Sequence, residues 1–151
     1  MNGIININKP KGITSFDVIR KLRRILREKA IGHTGTLDPM ATGVLVICVG
    51  GATRLAQDIE AQEKTYIANL DLGYRTDTLD VTGEVLERKD FIPPSKEAFT
   101  EVCNSFLGDI EQIPPMYSAI KIDGQKLYDL ARQGIEVERK SKTVNIEYIN
   151  R

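Results

Sequence analysis

Gly32-His33-Thr34-Gly35-Thr36-Leu37-Asp38-Pro39-Met40-Ala41-Thr42-Gly43, followed at once by Val44-Leu45-Val46-Ile47-Cys48-Val49, is the stretch from which the fold is read. The first part concentrates glycine, threonine, a proline, a carboxylate and the only histidine of the chain. Glycine reaches backbone shapes closed to other residues, and Pro39 biases Asp38 away from helical dihedrals. The apolar run behind it has the length and β-branched content of a buried strand. A tight polar loop anchored to a core strand is therefore expected, with one acid at its turn.

Upstream, Gly3 to Asn8 alternates weakly and predicts a short strand, broken by the turn Lys9-Pro10-Lys11-Gly12. Thr14 or Ser15 can cap a helix over 16–27, with Asp17 favourably placed in its first turn. Val18, Ile19, Leu22, Ile25 and Leu26 form its apolar stripe; Arg20, Lys21, Arg23, Arg24 and Arg27 lie opposite, as a solvated face or a phosphate-contacting one. Downstream, Ala52 to Glu60 reads as a short helix or turn. Lys64 to Leu72 alternates as a strand that turns Tyr66, Ala68, Leu70 and Leu72 inward, which makes Tyr66 a core tyrosine by default. A short strand is expected around Glu84–Leu86. Ser95 caps a helix from Lys96 to Leu107 with Ala98, Phe99, Val102 and Phe106 inward, and Gly108 closes it. Asp123-Gly124 is a turn, Lys126 to Gln133 a helix ended by Gly134, and Thr143 to Ile149 a last strand. The fold class is α+β, with a mixed or antiparallel sheet and flanking helices. At 151 residues the chain is expected to form one domain.

No apolar run is long enough to span a membrane, and the N-terminus lacks the layout of a signal peptide. Cys48 and Cys103 each sit in an apolar pattern and read as reduced core residues, as in a cytoplasmic protein. With so few His and Cys, no metal site is expected. The formal net charge of zero is unevenly spread: residues 1–64 carry 10 Lys/Arg against 6 Asp/Glu, residues 65–111 carry 4 against 10, and residues 112–151 carry 7 against 5. A polyanion would meet the first and last thirds.

The glycine-rich loop is not a phosphate loop, because no Gly-Lys-Ser/Thr follows it, and it lacks the third glycine of a dinucleotide fingerprint. No Gly-x-Ser-x-Gly elbow accompanies His33. Two-carboxylate glycosidase chemistry stays open, since carboxylates are plentiful. Asp38 has two readings: a carboxylate that caps its own turn, or a nucleophile for an electrophilic carbon.

Residues 32–45 resemble the catalytic motif of the TruB-type tRNA pseudouridine synthases of bacteria. Asn8-Lys9-Pro10-Lys11-Gly12-Ile13-Thr14-Ser15 resembles that family's N-terminal motif, and Lys64-Thr65-Tyr66 its third. Pro114-Pro115-Met116-Tyr117-Ser118-Ala119-Ile120-Lys121, continued through Gly124, Leu127-Tyr128, Ala131-Arg132 and Gly134, is similar to its RNA-gripping thumb.

The resemblance implies isomerisation of a T-loop uridine of tRNA, position 55, to pseudouridine, with no cofactor and no metal. Asp38 takes the nucleophile's place, His33 stands near the flipped nucleotide, and Tyr66 stacks on the base. Lys9 and Pro10 support the loop from beneath. Tyr117, Lys121 and Arg132 fall in the thumb-like RNA-binding insertion, about residues 112–139. The expected partner is the tRNA T stem-loop, without an obligate protein partner and without a membrane. The family's chain continues past this one and supplies an arginine that pairs with the nucleophile, so residues 1–151 are expected to be the N-terminal part of a catalytic domain with a sheet incomplete at its C-terminus, inactive alone. The competing readings are a non-catalytic RNA-binding module and a subunit of the guide-RNA-dependent relatives, which lack the thumb-like segment.

Overall fold

Thr14 fixes where the first helix starts. Its side chain accepts from the Asp17 amide at 3.0 Å while the Asp17 carboxylate accepts from the Thr14 amide at 2.8 Å, a reciprocal cap worth about 1 kcal/mol. In the computed structural model, which describes residues 1–118, 120–122 and 124–150, this helix (α1) spans Ser15–Leu26. Arg27 leaves it in the left-handed conformation, φ 50°.

Three antiparallel strands, β1 (Gly3–Lys9), β2 (Ile31–His33) and β3 (Gly43–Val49), lie in the order β1-β3-β2. The register Ile5↔Ile47 and Ile7↔Leu45 aligns apolar residues of β1 and β3 on one face. Val18 and Ile19 of α1 cover that face together with Ile31, Leu45, Ile47 and Val49, and Ile5, Ile7, Ile13, Leu22, Leu26 and Leu37 pack around them. The expected stripe is therefore met except at Ile25, which sits at the edge of the apolar arc and stays 74% exposed. A 3-10 helix (Gly50–Leu55) runs into α2 (Ala56–Glu60), as the sequence suggested for that stretch.

By its internal contacts the chain divides into two compact units, residues 1–68 and 69–151. The second is built of antiparallel pairs: β4 (Tyr74–Thr76) with β5 (Val85–Arg88), β6 (Gly108–Gln112) with β9 (Lys142–Ile146), and β7 (Lys121–Ile122) with β8 (Gln125–Lys126). Its helices are α3 (Lys96–Asn104) and α4 (Leu127–Ala131), the latter with Leu127 and Leu130 buried. Every described strand pair is antiparallel, which bears out the α+β reading.

Several expectations are corrected. Residues 63–72 form no strand, and Tyr66, which the alternation turned inward, is 68% exposed. Alternation describes a strand only where a neighbour completes the ladder, and no described strand pairs here. Helix α3 ends at Asn104 and buries none of its residues; Val102 is 57% and Phe106 49% exposed. A 3.6-residue pattern marks the side suited to burial but does not supply the surface that buries it. Cys48 is buried and Cys103 half-buried, both free thiols. The last strand stops at Ile146, leaving Tyr148 54% exposed. At the expected turn Asp123-Gly124, Gly124 has φ 83°, and Asp123 lies outside the described residues.

Candidate active site

The loop between β2 and β3 is held from below by the β1–α1 connection. Ser15 at the start of α1 serves one residue twice: its Oγ accepts from the Leu37 amide at 2.9 Å and donates to the Leu37 carbonyl at 3.1 Å. The Gly12 amide donates to the Pro39 carbonyl at 2.7 Å. Asp38 thus stands between two residues whose backbones are both pinned. Its own carbonyl accepts from the Ala41 amide at 3.0 Å and closes the turn. Gly43, with φ 122°, lets the chain re-enter the sheet opposite Lys9 where a side chain would be strained.

Lys9, which the resemblance put beneath the loop, is buried as lysine rarely is. Its side chain is fully buried, and the ammonium donates to Ile13 O at 2.8 Å, Pro10 O at 3.1 Å and, more weakly, Pro39 O at 3.5 Å. Three donors meet three carbonyls, so the cation is satisfied by backbone dipoles without a carboxylate. One of those carbonyls belongs to the residue after Asp38.

Asp38 itself is exposed, and its carboxylate has no hydrogen bond or ion pair among the described residues. The capping alternative fails on that point, because the backbone closes the turn and the side chain points free of it. His33 ends β2 opposite Ile47, half-buried, with Nδ1 enclosed and without a partner among the described residues. Lys64 packs against Gly35, its Cε 3.7 Å from where a Cβ there would sit, and its ammonium donates to Gln62 O at 3.1 Å and to Glu60 O. The structure therefore brings the third motif's lysine to the glycine-rich loop, with Tyr66 exposed two residues further on.

The other nominated residues lie in the second unit. Tyr117 is 40% exposed, Lys121 opens β7, and Arg132 follows α4. Sequence reasoning passed over Lys126 and Tyr128 as individual residues. Lys126 Nζ stands 5.1 Å from the Tyr128 ring centroid and donates to its hydroxyl at 2.9 Å, while the Arg132 guanidinium stands 5.4 Å from the same centroid. The available signal was an aromatic flanked by cations two residues before and one helical turn after. A shallow cavity of about 430 Å³ lined by Leu72, Gly73, Tyr74, Arg88 and Phe91 contains none of the nominated residues. Among the described residues no group of three or more His, Cys, Asp or Glu is assembled to hold a metal, and no helix is long and apolar enough to cross a membrane.

A sequence model described as "TruB family pseudouridylate synthase (N terminal domain)" matches residues 23–151. A protein of Fusobacterium nucleatum subsp. nucleatum named tRNA pseudouridine synthase B is 61% identical over 150 residues, covering 99% of this chain and 52% of that protein. One of the same name from Clostridium tetani is 56% identical over 146 residues, 97% of this chain and 50% of that protein. The chain thus spans about half the length of these curated relatives. Among solved structures, a chain in a crystal structure titled as a Cbf5-Nop10-Gar1 complex superposes with a TM-score of 0.58 at 27% identity, over 97% of this chain and 34% of that one.

Proposed function

The chain belongs to the TruB family of pseudouridylate synthases, and from that premise we propose that its protein isomerises the T-loop uridine of tRNA, position 55, to pseudouridine with Asp38 as the nucleophile. The observation that carries this is the free, exposed carboxylate of Asp38 on a turn whose two flanking residues are fixed by Ser15, Gly12 and Lys9. A nucleophile held by its backbone meets its carbon without ordering cost at the moment of reaction.

In the proposed reaction Asp38 attacks C6 of the uracil or C1′ of the ribose, and the glycosidic bond breaks. The freed base turns in the pocket, its C5 bonds to the sugar, the bond from Asp38 to its carbon breaks and restores the carboxylate, and the C5 proton leaves. The uridine must first be taken out of its stack, which costs a few kcal/mol. Tyr66 is exposed and accessible for stacking on the base, and His33 ends β2 at the start of the same loop, beside the flipped nucleotide in this reading. The tRNA T stem-loop is the partner in this reading, residues 1–151 belong to one catalytic domain with a thumb at about 112–139, and the reaction belongs to the cytoplasm.

Asp38→Asn in the full-length protein keeps the shape and removes the nucleophile. Pseudouridine formation on a T-arm RNA should fall at least about a thousandfold, with RNA affinity unchanged. Turnover that survives the substitution would remove Asp38 from its role, whereas RNA binding without turnover by the parent protein would favour a module that only binds RNA.

A further inference from the structure

Lys64 lies beside the glycine-rich loop and takes no part in the reaction proposed above. Its Cε stands 3.7 Å from where a Cβ on Gly35 would sit. Gly35 has φ 148°, a conformation that glycine adopts without strain, so the lysine stem crosses bare backbone just ahead of Asp38. The ammonium then reaches back to the end of α2, where it donates to Gln62 O at 3.1 Å and to Glu60 O. Carbonyls at a helix C-terminus lack partners within the helix, and the last turn of α2 contains no basic residue. Lys64 supplies that cation from outside the helix. Around Gly35 the loop is itself fixed: Thr34 is buried with its amide donating to Val46 O at 3.1 Å, and Leu37 is held by Ser15. Lys64 therefore ties the end of α2 to a fixed part of the Asp38 loop. Tyr66 follows at once, 68% exposed, in a stretch where residues 61–72 carry no regular helix or strand. Two residues of chain span at most about 7 Å, so a tie at Lys64 limits how far Tyr66 strays from the loop.

We propose that Lys64 is a positioning residue: by clasping the end of α2 against Gly35, it holds Tyr66 within reach of a base that enters over Asp38. This rests on the tRNA reading above and adds a residue to it that need not touch the base. A segment tied close to Tyr66 has fewer conformations to lose when the ring stacks, so the same contact gives tighter binding. The stem and the ammonium act separately, the first by packing on Gly35 and the second by anchoring the far end to backbone carbonyls. Arginine at this position keeps both, and methionine keeps only the stem.

The test is a double-mutant cycle in the full-length protein, read as affinity for a T-arm stem-loop RNA and as kcat at saturating RNA. Tyr66→Leu should weaken binding about tenfold, the loss expected for one stacked base. Lys64→Met should weaken it about fivefold in the parent background, a part of that same stacking contribution. Once Tyr66 is replaced by leucine, the further loss from Lys64→Met should be under about twofold, and kcat should show the same coupling. Lys64→Arg should stay within about twofold of the parent protein. A lysine that served only the fold, or only the charge that RNA meets, would cost the same in both backgrounds. Additive losses therefore overturn the positioning role, as does Lys64→Met indistinguishable from the parent. Tyr66→Leu without effect removes the stacking tyrosine and overturns the role of Lys64 with it. A parent protein that makes no pseudouridine sinks the synthase reading, while the affinity cycle still decides Lys64.

Discussion

At the scale of single residues, Lys9 shows how much of a site can rest on a group that does no chemistry. A buried ammonium is tolerated because its three donors meet three carbonyls, one of them next to Asp38. Lys9→Met keeps the length and removes the donors, leaving Ile13 O and its neighbours unsatisfied. We expect a loss of about 2–3 kcal/mol by urea unfolding, with turnover falling further than stability alone accounts for. Ser15→Ala separates the two effects, since it frees only Leu37. It should cost about 1 kcal/mol and lower kcat more than it raises KM, which steady-state kinetics on a T-arm RNA would show. The turn at Asp38 was legible from its neighbours, because Pro39 restricts the residue before it and glycine permits shapes closed to other residues, whereas the nucleophile reading came from the resemblance. The burial of Lys9 was not legible from its own chemistry, since lysine is ordinarily solvated and only the resemblance pointed beneath the loop.

Among the elements, the β4–β5 connection is organised around a titratable group. The Asp80 carboxylate accepts from the Thr82 amide and the Thr78 hydroxyl, both at 2.8 Å, and from the Thr82 hydroxyl at 2.6 Å. Burial pushes its pKa up, but these hydrogen bonds together outweigh that and hold it below the ordinary 3.8. A folded value below the unfolded one means the stabilisation is complete above about pH 5 and is lost as pH falls through the folded value. Asp80→Asn should therefore destabilise this turn by about 1 kcal/mol at pH 7 and by progressively less on acidification. Amide exchange at Thr82 and Glu84 across that range would report it; a difference independent of pH would contradict the assignment. Elements whose determinants lie within a few residues were legible in the sequence: the Thr14 cap, α1, and the left-handed Gly134 that follows α4, although that helix already ends at Ala131. The reading failed over residues 63–72 and on the apolar side of α3, where the pattern specifies a face and a distant surface must complete it.

On the scale of the whole chain, burial is unequal. The buried apolar residues of the first unit are Val18, Ile19, Ile31, Leu45, Ile47, Cys48 and Val49, whereas those described in the second are Leu127 and Leu130. Burying one such side chain contributes about 1.5–3 kcal/mol, so the first unit has much the larger apolar stabilisation, and β3 lies at its centre. Residues 61–72, around the junction, are all exposed and carry no regular strand or helix. The 151-residue chain should therefore open locally from the second unit. In native-state hydrogen exchange the β1–β3 amides should be the slowest, with opening free energies near the global value, and those of β4, β5 and α3 the faster. Limited proteolysis should cut first within residues 61–72, at Lys64 or Tyr66, and release a product that keeps β1, α1 and β3 together. Uniform protection across both units would mean that they open as one, and the Asp38 loop would then draw its rigidity from the whole chain and not from the sheet and helix that pin it.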